Sequence, residues 1–305
     1  MGFTAKELSK KNFPPPNWVV KDLLPEGVSI LVGKPKMRKS FLALNIALAV
    51  PEGRAVLTLP TKKGDVLYIS LEDNYRRLKL RLSKCCSGEI PDGLHFETEW
   101  PRMDEGGFEK LHEWITDHPK TTLIIIDTLV RIWPSGKKRG EGRTLYHQDY
   151  DFMTMLKKIA DENGVAILGV HHMKKAEYDD PTDSPSGSAG IAGGADTLIT
   201  LKRVRKAETA VLFVTGRDIE FERDDALEFD RATCTWQRIG RGDLLEQTPE
   251  RSELLAILRA SEDPMTTGDL SVATGKSVPN TSKLLRGLIE KGLVRRIKIG
   301  EYEAL

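Results

Sequence analysis

The segment that most constrains the fold of this chain is residues 27–50. It begins with an apolar stretch that predicts a strand over 28–32, continues through a short basic loop, and ends in an apolar stretch that predicts a helix over about 39–50. In such a strand–loop–helix unit, backbone N–H groups of the loop and of the first helical turn face one anionic site. The segment predicts a phosphate-binding loop; the alternative is a basic turn that only connects a strand to a helix.

Three residues of this segment, Gly33, Lys39 and Ser40, match the phosphate-binding pattern G-x-x-x-x-G-K-[ST]. The Lys39 ammonium would reach the β- and γ-phosphates of ATP, and the Ser40 hydroxyl would coordinate Mg²⁺. Arg38 stands where the second glycine is expected, so it either adopts an unusual backbone angle, at a cost of roughly 1 kcal/mol or more, or shifts the loop. The residues predicted to bind the nucleotide are Gly33, Lys34, Pro35, Lys36, Met37, Arg38, Lys39, Ser40 and Phe41.

The length of the chain, 305 residues, exceeds what one hydrophobic core usually fills and predicts a large domain with a smaller one. The net charge is +1, so a basic surface has to be sought segment by segment. The 3 cysteines show neither a metal-binding spacing nor a disulfide framework. Because the N-terminal residues lack a signal-like pattern and no apolar run reaches about 18 residues, we expect a cytoplasmic protein without a membrane partner.

Short apolar segments alternate with helical segments through the first two thirds of the chain. Strands are predicted over 28–32, 65–71, 121–127, 164–170, 195–202 and 209–215, and helices over 39–50, 73–86 and 148–162. This alternation predicts an α/β fold with a mostly parallel sheet covered on both faces. The expected domains are an N-terminal arm over 1–26, an ATPase core over 27–240, a linker over 241–249 and a small C-terminal domain over 250–305.

The C-terminal segment has a different periodicity. Helices are predicted over 250–260, 266–274 and 278–291, the second of them starting at the cap-like Thr266 and Thr267, and a β-hairpin over 293–302 follows with its turn at Gly300. Three short helices followed by a hairpin predict a winged helix-turn-helix domain.

Two predicted strands end in acidic residues. Asp127 ends a strand whose apolar run is typical of a buried central strand, so it would hold Mg²⁺ opposite Ser40, unless it is only a structural strand end. Glu72 and Asp73 follow the strand over 65–71. Glu72 is the candidate group that orients or deprotonates the attacking water, the alternative being a structural role, and Asp73 is expected to cap the helix that follows.

These residues occur in an order that resembles the RecA-like ATPases. The order comprises residues 33–40, Glu72 with Asp73, Asp127, and Val170 with His171 and His172. The resemblance is to the subgroup of the hexameric plasmid replicative helicase RepA and related phage and plasmid ATPases. It covers residues 18–225 approximately, and it implies a RecA-like P-loop NTPase core.

The resemblance also implies roles for residues outside the loop. In the family, the strand that ends at Val170 here carries a polar sensor of the γ-phosphate, so His171 or His172 inherits this role. The family binds its nucleotide at subunit interfaces, which implies a ring of identical subunits, expected to be a hexamer. The arginine that reaches the neighbouring site would be Arg217, with Arg203 and Arg205 as alternatives.

Two basic segments are candidates for contact with DNA. The resemblance places the segment after Asp127 at the ring centre; its cations are Lys137, Lys138, Arg139 and Arg143, and their alternative role is that of a solvated surface loop. The segment over 174–194 has the same expected position, but its acidic residues oppose DNA. In the C-terminal domain, a recognition helix and wing would use Lys276, Lys283, Arg286, Lys291, Arg295, Arg296 and Lys298, with Ser277, Asn280, Thr281 and Ser282 as candidates for base contacts. The alternative is a winged domain that mediates protein contacts or oligomerisation.

Two classes of function follow from these predictions. The first is an ATP-driven DNA motor, a RepA-like replicative helicase of a plasmid, phage or other mobile element. The second is a non-motor, ATP-regulated DNA-binding protein that acts in replication or transcription.

Overall fold

The structure is a computed structural model that describes residues 2–86, 88–134, 145–172, 189–203, 208–242, 249–261, 263–290, 292–298 and 300–304. The chain divides into two compact units, Met1–Ile239 and Gly240–Leu305. Residues 243–248 of the predicted linker lie outside the described residues. Its first residue, Arg241, ends a strand, and its last residue, Pro249, begins a helix.

The first unit contains most of the secondary structure. Its helices are α1 (Ala5–Leu8), α2 (Lys39–Ala49), α3 (Tyr75–Cys85), α4 (Gly107–Asp117), α5 (Leu145–Asn163) and α6 (Ala189–Gly194), with 3₁₀ turns at Val50–Glu52, Met103–Glu105 and Leu129–Arg131. Its strands are β1 (Trp18–Val20), β2 (Leu24–Pro25), β3 (Gly27–Gly33), β4 (Asp65–Ser70), β5 (Leu94–Glu97), β6 (Thr121–Asp127), β7 (Ala166–His172), β8 (Thr197–Arg203), β9 (Thr209–Gly216), β10 (Arg223–Asp230) and β11 (Thr235–Arg241).

Nine strands form the main sheet, in the order β11-β10-β9-β8-β3-β7-β6-β4-β5. The strands from β8 to β5 in this order are parallel, whereas β9 runs antiparallel to both β8 and β10. The predicted α/β fold with a mostly parallel sheet is confirmed. Eight elements of this unit were not predicted, namely α1, α4, α6, β1, β2, β5, β10 and β11.

Helices cover both faces of the sheet because residues of the central strands alternate between two apolar cores. In β3, Leu31 packs in the core that contains α2, whereas Ile30 and Val32 pack in the core that contains α4 and α5. The arm contributes Val19 and neighbouring residues to the α2 core. With the strands buried on both faces, the phosphate loop and the ends of β4, β6 and β7 share one edge of the sheet.

Two boundaries differ from the prediction in ways that affect the site. Helix α3 begins at Tyr75 with Asn74 as its N-cap, whose side chain accepts a hydrogen bond from the backbone N–H of Arg77 at 3.0 Å. The prediction that Asp73 caps this helix is therefore wrong. Strand β7 continues through His172, so both histidines lie within the strand and point to opposite faces of the sheet.

The second unit has its own apolar core. It consists of α7 (Pro249–Ala260), β12 (Met265–Thr266), α8 (Thr267–Thr274), α9 (Val278–Glu290), β13 (Val294–Lys298) and β14 (Glu301–Ala304). The strands form a three-stranded sheet in the order β12-β14-β13. Thr266 and Asp269 form a capping box at the start of α8, and leucines of the three helices form the core. The three helices and the hairpin confirm the predicted winged helix-turn-helix.

Candidate nucleotide-binding site

The phosphate loop follows β3, and its first residue has to be a glycine. A Cβ atom at Gly33 would lie 2.7 Å from the carbonyl oxygen of Leu201 in the adjacent strand β8. At the other end of the loop, Arg38 has φ 61° and ψ 29°, which is the left-handed conformation. Arg38 therefore adopts the unusual backbone angle, the first of the two alternatives considered for this position.

Lys39 is the first residue of α2, and its side chain is buried. Its Nζ donates hydrogen bonds to the carbonyl oxygens of Gly33, at 2.8 Å, and Lys34, at 3.2 Å, so the ammonium lies over the loop. Burial lowers the pKa of Lys39 to about 8, and the negative charges of Asp127 and Glu72 oppose this shift. Among the described residues no carboxylate forms an ion pair with this desolvated ammonium, and a polyphosphate bound in the loop would supply that anionic partner.

Asp127 lies at the end of β6, with 4% of its surface exposed. The Tyr68 hydroxyl donates a hydrogen bond to Oδ2 at 2.9 Å, and Oδ1 has no hydrogen-bond partner among the described residues. Burial raises the pKa of Asp127, and the hydroxyls of Ser40 and Tyr68 oppose the shift. A buried carboxylate oxygen without a partner beside the Ser40 hydroxyl suits Mg²⁺, which prefers oxygen ligands and would stabilise the ionised form.

Glu72 lies just beyond β4, at the edge of the sheet where Asp127 ends β6. The two strands are neighbours, with Ser70 opposite Asp127 in the register. The Glu72 side chain is exposed to solvent, and its Oε1 accepts a hydrogen bond from Thr128 Oγ1 at 3.4 Å. The next residue, Asp73, forms ion pairs with Arg77 and Arg81. The structure thus leaves the carboxylate of Glu72 accessible to water.

The structure places only one of the two candidate histidines beside the loop. His172 pairs with Gly33 in the register of β7 and β3, and its Nδ1 lies 3.3 Å from Lys39 Nζ. Burial lowers the pKa of His172, as does the positive charge of Lys39. His171 is buried on the opposite face, where its ring centroid lies 5.9 Å from that of Trp133.

Arg217 lies at the opposite end of the sheet from the phosphate loop. It follows β9, whose Gly216 pairs with Thr197 at the start of β8, and its Nη1 donates to Asp196 Oδ1 at 3.2 Å. Asp196 also accepts a hydrogen bond from the backbone N–H of Val28, near the start of β3. The length of β3 separates this position from the loop by about 20 Å. Arg203 ends β8 on the loop side of the sheet, and Arg205 lies outside the described residues.

The candidates for contact with DNA are only partly described. Lys137, Lys138, Arg139 and Arg143 lie outside the described residues, as do Lys291 and most of 174–194. In the second unit, Glu253 pairs with Lys276, and Glu303 and Glu301 of β14 pair with Arg295 and Lys298 of the wing. These ion pairs reduce the local positive excess that the sequence suggested.

Three of the described cations that were predicted to contact DNA remain available to an anionic ligand. Lys283 and Arg286 on α9 and Arg296 on β13 are exposed, and none of them forms an ion pair within the described part of the unit. Thr281 is fully buried and donates a hydrogen bond to the Ser277 carbonyl oxygen at 3.1 Å. Thr281 was therefore wrongly proposed for base contacts, whereas Ser277, Asn280 and Ser282 keep at least part of their surface exposed.

Sequence reasoning missed two further features of the site. Tyr68 lies within an apolar strand and gave no sign of its hydrogen bond to Asp127. The Arg38 guanidinium pairs with Glu208, at a sequence separation of 170, and its carbonyl oxygen accepts a hydrogen bond from Trp236, which is also distant in the sequence. In the described part of the chain, no helix is long and apolar enough to cross a membrane, and no three acidic, histidine or cysteine side chains cluster as a metal site.

The comparisons with known proteins agree with this architecture. The AAA domain family matches residues 3–177, and the IclR helix-turn-helix domain matches residues 252–298. A solved structure described as an "ATPase Domain" matches with a TM-score of 0.56 and 14% sequence identity, over 70% of this chain and 85% of that chain. None of the curated proteins has a matching sequence. At this identity the structural match shows the fold alone. With more than half of its residues matched, the chain belongs to the AAA domain family, with a RecA-like fold followed by a C-terminal helix-turn-helix domain.

Proposed function

We propose that this chain is an ATP-hydrolysing, DNA-binding protein that works as a replicative helicase or motor similar to RepA, in a plasmid, phage or other mobile element. The observation that carries the proposal is the buried Lys39 ammonium, which lies over the loop after β3 and experiences the charges of Asp127 and Glu72. A buried cation with two carboxylates at the C-terminal edge of a parallel sheet suits a nucleotide phosphate and its metal ion.

The residues of the site have separable roles in this proposal. Lys39 leaves the loop carbonyls and contacts the β- and γ-phosphates, and Ser40 and Asp127 would hold Mg²⁺. When bound, Mg²⁺ neutralises charge on the phosphates. Glu72, which accepts a hydrogen bond from the Thr128 hydroxyl, orients the attacking water and accepts its proton. His172 contacts the γ-phosphate from β7, and its short distance to Lys39 makes it the better candidate of the two histidines.

The position of Arg217 supports assembly into a ring. Because about 20 Å of β3 separates Arg217 from the loop of its own chain, it can contact a γ-phosphate only in a neighbouring subunit. An arginine supplied in this way would stabilise the negative charge that develops in the transition state. The proposed assembly is a ring of identical subunits, with six as the expected number.

DNA binding is assigned to two regions. In the second unit, Lys283 and Arg286 on α9 and Arg296 on the wing contribute charges that no described carboxylate neutralises. The match to a helix-turn-helix domain supports placing α9 in the DNA major groove. The segment with Lys137, Lys138, Arg139 and Arg143 is the proposed contact of the core with DNA.

A second candidate function is a non-motor protein in which ATP controls assembly and the helix-turn-helix domain locates a DNA site. The match to the IclR helix-turn-helix domain favours this alternative. Three measurements separate the two candidates. They are ATP hydrolysis with and without DNA, strand displacement on a forked duplex, and particle size with and without ATP and Mg²⁺. DNA-stimulated hydrolysis with strand displacement supports the motor, whereas nucleotide-dependent assembly without displacement supports the regulator.

Matched variants make this experiment specific to the site. Glu72→Gln is expected to slow the DNA-stimulated hydrolysis by about 10²-fold. Glu113→Gln, at an exposed position of α4, is expected to leave it unchanged. A chain that neither binds nor hydrolyses ATP would refute both candidates.

A further inference from the structure

Arg38, the residue that departs from the glycine of the loop pattern, is held by three side chains from the antiparallel part of the sheet. Its guanidinium pairs with Glu208, next to the start of β9, and lies over the ring of Phe229 in β10, with Cζ 4.1 Å from the ring centroid. Its carbonyl oxygen accepts a hydrogen bond from Trp236 Nε1 in β11 at 3.3 Å. Both the side chain and the backbone of this one loop residue are therefore fixed from outside the loop.

The same strands also hold the helix that follows the loop. Asn45 of α2 accepts a hydrogen bond from the backbone N–H of Trp236 at 2.9 Å and donates one to the carbonyl oxygen of Cys234 at 3.3 Å. Phe41 packs against Phe229, with their ring centroids 5.6 Å apart. All of these partners lie beyond residue 177, where the match to the AAA domain family ends. The anchoring of the loop thus comes from a part of the chain that the family match does not include.

The charge of Arg38 is neutralised by this arrangement. Hydrogen bonds from Arg38 and then Arg231 lower the pKa of Glu208 to about 2, so its carboxylate stays ionised at any pH near neutral. An arginine that is paired with a carboxylate and stacked on an aromatic ring is directed to those partners and not to a phosphate. Arg38 therefore differs from Lys39, whose ammonium contacts carbonyl oxygens and the His172 ring within the described part of the chain.

We propose that Arg38 is a positioning residue for nucleotide binding, held by Glu208 and Phe229 in the left-handed conformation that glycine would supply. In this conformation α2 begins at Lys39 and presents the lysine and Ser40 to the phosphates. A glycine adopts this backbone conformation without a side chain, whereas any other residue needs contacts that hold it there. The inference rests on the proposed function, because it assumes that the loop binds the phosphates of ATP.

The experiment measures the Kd for ATP with Mg²⁺ by calorimetry, together with KM and kcat for hydrolysis, in the full chain. Arg38→Ala and Glu208→Gln are each expected to raise Kd and KM about tenfold, equivalent to about 1.4 kcal/mol, with kcat nearly unchanged. Arg38→Gly is expected to bind ATP like the unmodified chain. The double variant Arg38→Gly with Glu208→Gln is expected to have the same Kd and KM as Arg38→Gly alone. That result would also show that the chain folds with glutamine at position 208.

Arg231→Ala is the matched control, because Arg231 pairs with the same carboxylate and is largely exposed. It is expected to leave Kd unchanged. Hydrogen exchange of residues 34–42 without nucleotide tests the anchor separately, and is expected to be faster in Glu208→Gln than in Arg231→Ala.

Three results would overturn the inference. Equal weakening by Arg38→Gly and Arg38→Ala would make Arg38 a phosphate ligand. Unchanged ATP binding and unchanged hydrogen exchange in Glu208→Gln would remove the anchor. A lower kcat at unchanged KM in Arg38→Ala would indicate that Arg38 acts in the chemical step and not in nucleotide binding. An unmodified chain that does not bind ATP would instead refute the proposed function, while the hydrogen exchange result still decides whether Glu208 holds the loop.

Discussion

Because burial lowers the pKa of Lys39 to about 8, ATP binding should take up a proton in weakly alkaline solution. At pH 8.5, about three quarters of the free protein carries a neutral Lys39. Bound phosphates favour the charged ammonium and raise its pKa, so binding at this pH takes up about 0.8 proton for each ATP. Above pH 8 the affinity should fall, approaching tenfold for each pH unit, which corresponds to about 1.4 kcal/mol. Below pH 8 the lysine is already protonated and the affinity should be nearly constant.

Calorimetry of ATP and Mg²⁺ binding at pH 8.5, in buffers of different ionisation enthalpy, measures this proton uptake directly. His172 and the phosphates do not interfere, because His172, whose pKa is lowered from 6.5, is neutral at this pH and the phosphates of ATP are ionised. Lys36→Gln, which removes an exposed lysine of the same loop, is the matched control and should preserve the uptake. Lys39→Arg, always protonated, should abolish it. A Kd that is constant from pH 7 to 9.5, with no proton uptake, would refute the reasoning that a desolvated Lys39 meets the phosphates.

Three further predictions test the remaining parts of the proposal. Glu72→Gln should bind ATP with Mg²⁺ normally but lower kcat by about 10²-fold, and an equal loss of binding would make Glu72 structural. Replacing Lys283 and Arg286 with alanine should lower the slope of log K for duplex DNA against log salt by about two, whereas Arg295→Ala, whose guanidinium pairs with Glu303, should change it less; salt-independent binding would contradict the assignment. Arg217→Ala should bind ATP but hydrolyse it about 10³-fold more slowly, and mixing it with unmodified chains should lower their activity; independent activities in the mixture would argue against a shared site.

Features of the fold that depend on local pattern could be predicted from the sequence. The apolar runs that became β3, β4 and β6 stood out because both of their faces are buried, and acidic residues at strand ends meet at one edge of a parallel sheet. The chemistry of Asp127 and Lys39 could be placed by this rule without any knowledge of tertiary contacts. Because side chains alternate between the two faces of a strand, only one of the two histidines can face the loop. This alternation applies to both histidines only because β7 continues through His172.

Other features depend on contacts between distant segments and could not be predicted. A shift of one residue in the start of α3 decides whether Asp73 or Asn74 is its N-cap. The Asp73 side chain forms ion pairs with Arg77 and Arg81 and does not cap the helix. The ion pairs of the wing arise because β14 returns beside β13, which places Glu301 and Glu303 against basic residues of the wing. A count of charges along the sequence therefore overestimates the basic surface of this unit.

In the proposed ring, each subunit would carry the phosphate loop at one edge of its sheet and offer Arg217 at the other. The contacts of Arg217 suit an arginine that moves to a neighbouring site. Its side chain is 54% exposed, so its ion pair with Asp196 contributes little to the free energy of folding. If Arg217 leaves for a neighbouring nucleotide, Asp196 still accepts hydrogen bonds from Lys157 Nζ at 2.8 Å and from the Val28 N–H at 3.0 Å. Since the buried Asp196 carboxylate keeps these two partners, the arginine can exchange between Asp196 and a phosphate at small cost, which is what a site shared between subunits requires.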